Sequence, residues 1–260
     1  MIITGDVVEW VVHFLLFVVR MSALFIVSPI FGRNNIPAYV KVLLSVILAF
    51  IAIQMFPPAP GLPPTILHFV FTIFGELLIG LIIGYVTTMF FSVVFTAGNI
   101  IDTQIGFGMV QIYDVATNAQ MPVAGTLMNS ILLICVLLSN GHIKLIRLLF
   151  ATFEYIPVGH AAFRPEIGTL MLNGFVTTFI LSVNVAIPLV ASALVAEVGL
   201  GIVVRTSPQM NIFVIGIPLK TLLGLIMLGV VLPVFIRFTN IIFERMYEFI
   251  NTILPVMQPG

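Results

Sequence analysis

The chain has 260 residues, 60% of them apolar and only 8% charged, and its ten Lys and Arg balance ten Asp and Glu. A soluble domain is about 45–50% apolar and about 25% charged, so this chain has too few charges to coat a water-facing surface, and its mean hydropathy of +1.24 agrees. These totals exclude a cytosolic enzyme, a secreted disulfide domain and a nucleic-acid binder, and they make a bilayer, or a large oligomer built from one, the solvent for much of the chain.

The first apolar segment, Val7–Phe31, holds His13 and Arg20 and is broken by Arg33, Asn34, Asn35 and Pro37. Asp6 and Glu9 stand where a cleavable leader carries Lys or Arg, so no signal peptide is expected. A second segment, Val40–Phe56, stops at a run with five prolines in eight residues, Pro57 to Pro64, which reads as a stiff connector. The third, Thr65–Ala97, would span about 50 Å as a helix, against a hydrocarbon core of roughly 30 Å. It must tilt, break near Gly80 or Gly84, or leave the bilayer. A polar, Gly-containing stretch from Gly98 to Pro122 follows.

Val123–Leu138 is the fourth segment and ends at Ser139-Asn140-Gly141-His142, a helix stop. Ile143–Phe153 is short and mixed, an interfacial or packed helix. The fifth segment, Ile167–Ala196, contains Pro188, and the sixth, Ile212–Phe235, contains Pro218, Lys220 and Pro233. The tail, Phe238–Leu254, is amphipathic, with Phe238, Ile241, Ile242, Met246, Phe249 and Ile253 at helical spacing. The positive-inside count is nearly even, five Lys and Arg against four, so it sets no orientation.

The chemistry-bearing motifs are absent from the sequence. There is no His-x-x-x-His pair, no Cys/His ligand set, no Gly-x-Ser-x-Gly and no phosphate-cradling loop. The sequence therefore points to no catalytic residue, no metal and no cofactor. The charges inside apolar runs carry more information, because a charge in hydrocarbon costs at least about 2.5–3.5 kcal/mol. Arg20 lies on one stripe with Glu9 and His13. Glu76 precedes the small pair Gly80-x-x-x-Gly84, a surface that lets another backbone approach and that should bring a cation to Glu76. Asp102 is a further candidate for buried or inter-subunit charge pairing. Glu197, Arg205 and Lys220 cluster near Gly199 and Gly201, and the expected pairing there is between subunits, with the glycines packing against a neighbouring helix. The single cysteine, Cys135, can form no intramolecular disulfide.

The stretch from Ala97 to Pro122 mixes Gly98, Gly106 and Gly108 with Asp102, Gln104 and Gln111 and with Phe107, Met109, Val110, Ile112 and Tyr113. Irregular polar backbone beside apolar spans is tolerated where it lines a water-filled cavity or is covered by protein. A pore loop is the expectation, with flexible Met suited to a seal.

These residues are similar to one family. The run Glu197-Val-Gly-Leu-Gly-Ile-Val-Val-Arg205-Thr-Ser-Pro208-Gln209-Met-Asn-Ile-Phe213-Val-Ile-Gly216-Ile-Pro218-Leu219 resembles the most specific stretch of FliR, the flagellar type III export-gate family. The injectisome counterpart of that family is called SctT. Ala97-Gly98 with Gln104-x-Gly106, Met121-Pro122-Val123, Asn140-Gly141-His142 and the spacing Arg20, Pro29, Pro37, Lys41 resemble family positions too. The resemblance implies a helical, closed-pore hetero-oligomer with FliP and FliQ, in the bacterial inner (cell) membrane at the flagellar basal body. FlhB and FlhA would complete the apparatus, and unfolded flagellar proteins would be its cargo. It also implies that much of the gate stands above the bilayer, and that a plug maps onto roughly Gly106–Met121. Where many members carry Asp-Pro, this chain has Asp114-Val115.

The expected fold is all-α, one domain over 1–260 of helical hairpins with about six long hydrophobic helices and an amphipathic C-terminal helix. Its parts are a first hairpin at 7–56, a long helix at 65–97, the pore or plug loop at 98–122, a second helical region at 123–196 and a Gly/Pro-broken hairpin at 197–254. Glu76, Glu197, Arg205 and Lys220 would pair with neighbours, and Gly106, Phe107, Gly108 and Met109 would lie at the constriction. The rival reading is a small secondary transporter with helices interrupted at Pro188 and Pro218.

Overall fold

The computed structural model describes residues 2–33, 36–57, 61, 64–106, 122–206 and 212–258. Among the described residues every regular element is helical. They are α1 (Ile2–Val27), α2 (Ala38–Met55), α3 (Ile66–Ile105), α4 (Val123–Leu138), α5 (Gly141–Tyr155), α6 (Glu166–Thr206) and α7 (Ile212–Ile253), closed by a 3-10 turn, Leu254–Met257.

The helix boundaries have local causes. Pro37 sits in extended backbone (ψ 144°) directly before α2, where its missing N–H leaves nothing unsatisfied. Lys41 Nζ donates to the Gly32 carbonyl at 3.0 Å, tying the first turn of α2 to the preceding bend. Pro57 follows α2 and Pro157 follows α5, each one residue beyond the helix C-cap. Asn140, at φ 56°, separates α4 from α5; Asn tolerates this left-handed conformation because its short side chain bonds locally.

Three helices run further than the spacing of turn residues suggests, α7 among them, since it joins the sixth segment and the amphipathic tail into one helix, Ile212–Ile253. α3 continues through Ala97 to Ile105, and α6 continues through Ala196 to Thr206, taking in Glu197, Gly199 and Gly201. Propensity is a weak prior that packing overrides. In α3 the polar groups are absorbed locally, as where Thr103 Oγ1 donates to the Asn99 carbonyl. Pro188 in α6 and Pro218 and Pro233 in α7 lie inside continuous helices, so the interruptions that the transporter reading requires are not there.

Among the described residues five helices are long and apolar enough to cross a membrane, and α4 with α5 would make a sixth span if the two act as one. α3, α6 and α7 have 40, 41 and 42 residues. Each is about 60 Å long, roughly twice the hydrocarbon thickness.

The chain divides into two compact units. The first comprises Met1–Phe90, Asn140–Gly174 and Arg245–Gly260; the second comprises Phe91–Ser139 and Phe175–Glu244. In the first unit α1 packs on α2, and the core is built from Phe17, Met21, Leu24, Ile79, Ile83, Leu149 and Ile250. α3 meets α1 through glycine. A Cβ on Gly80 would strike the Arg20 carbonyl and come within 2.6 Å of Ala23 Cβ, and one on Gly84 would come within 3.0 Å of Val27 Cβ. Thr88, one further turn along, donates to the Val27 carbonyl at 2.8 Å. Glycine every four residues thus brings the two backbones close enough for a hydroxyl to bridge them. In the second unit Phe91, Val94, Ile101, Met128, Leu132 and Leu189 are buried.

Gly80→Leu should drive α1 away from α3 and lower stability by about 1–3 kcal/mol. Gly168→Ala, at a position with open space around it, should leave stability unchanged or slightly raised. Thermal unfolding of the purified protein in detergent reads both; equal effects would rule out the close crossing.

Candidate functional site

The stripe Glu76, Gly80, Gly84, Thr88 recurs every four residues along α3, and its first member lies opposite Arg20 of α1. Because Gly80 lets α1 approach, the two side chains meet. Arg20 Nε donates to Glu76 Oε2 at 2.5 Å, and both side chains are fully buried. Arg20 Nη1 also donates to the carbonyls of Thr152 at 3.1 Å and Ile156 at 2.9 Å, at the end of α5. The guanidinium carbon stands 4.3 Å from the centroid of the Phe153 ring, which stacks in turn on Phe17 at 4.5 Å. Glu76 Oε1 accepts the Gly159 N–H at 2.8 Å. One ion pair therefore ties α1, α3, α5 and the loop after α5 together. His13 and Glu9 take no part: His13 Nδ1 bonds the Glu9 carbonyl at 2.8 Å, and the Glu9 carboxylate accepts the Gly61 N–H.

In the second unit the two helices that flank residues 107–121 cross at glycines. A Cβ on Gly98 would run into the backbone of Gly125. One turn further along α3, the buried Asp102 accepts the Ala124 N–H through Oδ1 at 3.1 Å and Oδ2 at 3.3 Å. Among the described residues Asp102 forms no ion pair. Gly106 ends α3 at φ +97°, a conformation that favours glycine, and its N–H donates to the Asp102 carbonyl at 3.0 Å. Phe107, Gly108, Met109, Val110, Gln111, Ile112 and Tyr113 lie outside the described residues.

Glu197 collects two partners in the same unit. Its Oε1 accepts from Lys220 Nζ at 3.3 Å, and its Oε2 accepts from Gln104 Nε2 at 3.3 Å. The Glu197 side chain stays 55% exposed, so this contact adds about 0–1 kcal/mol at most. Arg205 is exposed eight residues along α6. Gly199 and Gly201 have nothing within 4 Å of an added Cβ. Among the described residues no group of His, Cys, Asp and Glu could hold a metal ion.

The sequence pattern that defines bacterial export proteins, family 1, matches residues 11–246. The chain belongs to this FliR family. The flagellar biosynthetic protein FliR of Bacillus subtilis (strain 168) is 32% identical over 258 residues, covering 97% of this chain and 98% of that protein. FliR of Escherichia coli (strain K12) is 29% identical over 235 residues, 90% of each chain. The Yop proteins translocation protein T of Yersinia pestis is 25% identical over 216 residues, 80% of this chain and 81% of its own. The likeness spans the whole fold. It makes this chain a FliR-family component of the flagellar and type III export apparatus in the bacterial inner membrane, a transport component and not an enzyme.

Several participants in these contacts carry no signal in the FliR-family sequence read alone. Gly159 and Ile156 act through backbone groups, which residue type does not report, and Thr152 offers Arg20 Nη1 both its carbonyl and its hydroxyl oxygen, the latter at 3.3 Å. Gly125 stands just inside the start of α4, while Gly98 lies two turns before the end of α3.

Replacing either member of the Arg20–Glu76 pair with Met leaves a buried unpaired charge and should cost about 3–5 kcal/mol. R20M/E76M together should recover more than about half of that loss, because the desolvation penalty leaves with the charges. Membrane abundance and thermal unfolding of the three variants check this; a double variant as weak as the sum of the singles would refute it.

Proposed function

We propose that this chain is a structural and conduit subunit of the flagellar export gate, assembled with FliP and FliQ around a closed pore through which unfolded flagellar proteins pass. FlhB and FlhA act with it at the basal body. The observation that carries the reading is uncovered apolar length. In its most apolar stretch α7 has 11% of its residues buried within the chain, and α3 has 22%. Val195, Val198 and Ile202 on α6 and Leu222, Ile226 and Val230 on α7 are exposed. Helices near 60 Å long extend beyond what a roughly 30 Å hydrocarbon layer can cover, so sister subunits supply the rest. The flagellar assignment follows the higher identity to FliR of Bacillus subtilis and Escherichia coli, 32% and 29%, than to the Yop translocation protein, 25%.

Within this assembly the open glycines Gly199 and Gly201 give a neighbouring helix close access. The exposed charges Glu197 and Arg205, with Lys220 beside Glu197, face partner subunits. Residues 106–121, with Gly106, Phe107, Gly108 and Met109 leading, form the plug. Glu197→Lys should therefore reduce recovery of FliP and FliQ with the tagged chain, and recovery equal to native would remove the inter-subunit role. Deleting residues 106–121 should leave the complex assembled while small ions leak through the membrane. Native impermeability in the deletion would remove the plug. A solitary chain that purifies as a stable 28.5 kDa monomer would overturn the gate reading as a whole.

A further inference from the structure

Pro122 precedes α4 without offering a side-chain oxygen to its first turn. The first N–H groups of a helix have no partner inside it, and an adjacent Ser, Thr, Asp or Asn usually supplies one. Here the acceptor comes from across the unit. Asp102, 3% exposed, places both carboxylate oxygens on the Ala124 N–H, at the positive end of the α4 dipole. The same residue also closes α3, because its carbonyl accepts the Gly106 N–H. Backbone contact between Gly98 and Gly125, one turn back, leaves no room for the helices to slide.

We propose that Asp102 is a positioning residue that fixes the separation between the end of α3 and the start of α4, and so sets where residues 107–121 leave and rejoin the helices. Its consequence for export rests on the conduit reading above; the positioning itself does not. The role needs an acceptor oxygen and not a titrating or ion-holding charge, so Asn can perform it and Ala cannot.

The test is a distance measurement on the assembled export complex in detergent. Spin labels go at Thr103 and Leu127, both exposed, in a Cys135→Ser background. The native chain and Asp102→Asn should give one narrow distance distribution. Asp102→Ala should raise the population of longer distances about five-fold, the size of effect expected when a helix cap is lost. A distribution unchanged in Asp102→Ala, or one in Asp102→Asn as broad as in Asp102→Ala, overturns the proposal. If Asp102→Ala fails to accumulate, Asp102→Ala combined with Pro122→Asp decides. It gives α4 a local cap without tying it to α3, so a narrow native distribution there overturns the proposal and a broadened one upholds it. Passive ion flux through the same complexes separates this from the plug reading. A widened stem with native flux keeps the positioning role and discards the plug, whereas an unwidened stem discards positioning whatever the flux.

Discussion

Helices of forty residues and more present apolar surface that a chain of this length does not enclose. Every other feature follows from that constraint. A fold with so little intramolecular cover adds a few close, directional contacts to the buried core of each unit. Among the described residues those contacts are glycine crossings, one enclosed ion pair and one carboxylate on a helix start. The remaining apolar faces of α6 and α7 are left for lipid and for other proteins.

The Arg20–Glu76 pair shows how a charge survives in such surroundings. Neither group meets water, yet Arg20 has the carboxylate, two carbonyls and an aromatic face around it, and Glu76 has a second donor in Gly159. Burying a pair brings little net stability, whereas losing one partner is severe. The pair sits in the register of α1 on α3 in which Gly80 faces Arg20 and Thr88 reaches Val27. The polar groups of the second unit act in the same spirit. Asp102 and Glu197 each join elements far apart in sequence, the first buried and the second at the surface, and they differ in strength accordingly.

In a FliR-family export protein this division has a purpose. A conduit subunit, as proposed here, must hold its own helices in place while offering most of its surface to neighbours. Contacts concentrated at glycines and buried polar groups hold the frame without consuming the apolar faces needed for assembly.

The all-helical class, the membrane setting and the number of apolar segments were legible in the residues, because composition and hydrophobic period are local sums that need no third dimension. The run from Glu197 to Leu219 carried the family likeness for the same reason: it is contiguous. The partners of the isolated charges were not legible. Nothing in the spacing says that Glu76 meets Arg20, 56 positions away, or that Asp102 faces the Ala124 amide hydrogen and, among the described residues, no cation. Nor does it show that Gly98 continues a helix instead of opening a loop. Those outcomes depend on where helix axes cross, and crossings are decided by backbone approach between distant residues. Only the tertiary structure holds that information, since a glycine reads as a loop former in isolation and becomes a packing surface once a second helix lies against it.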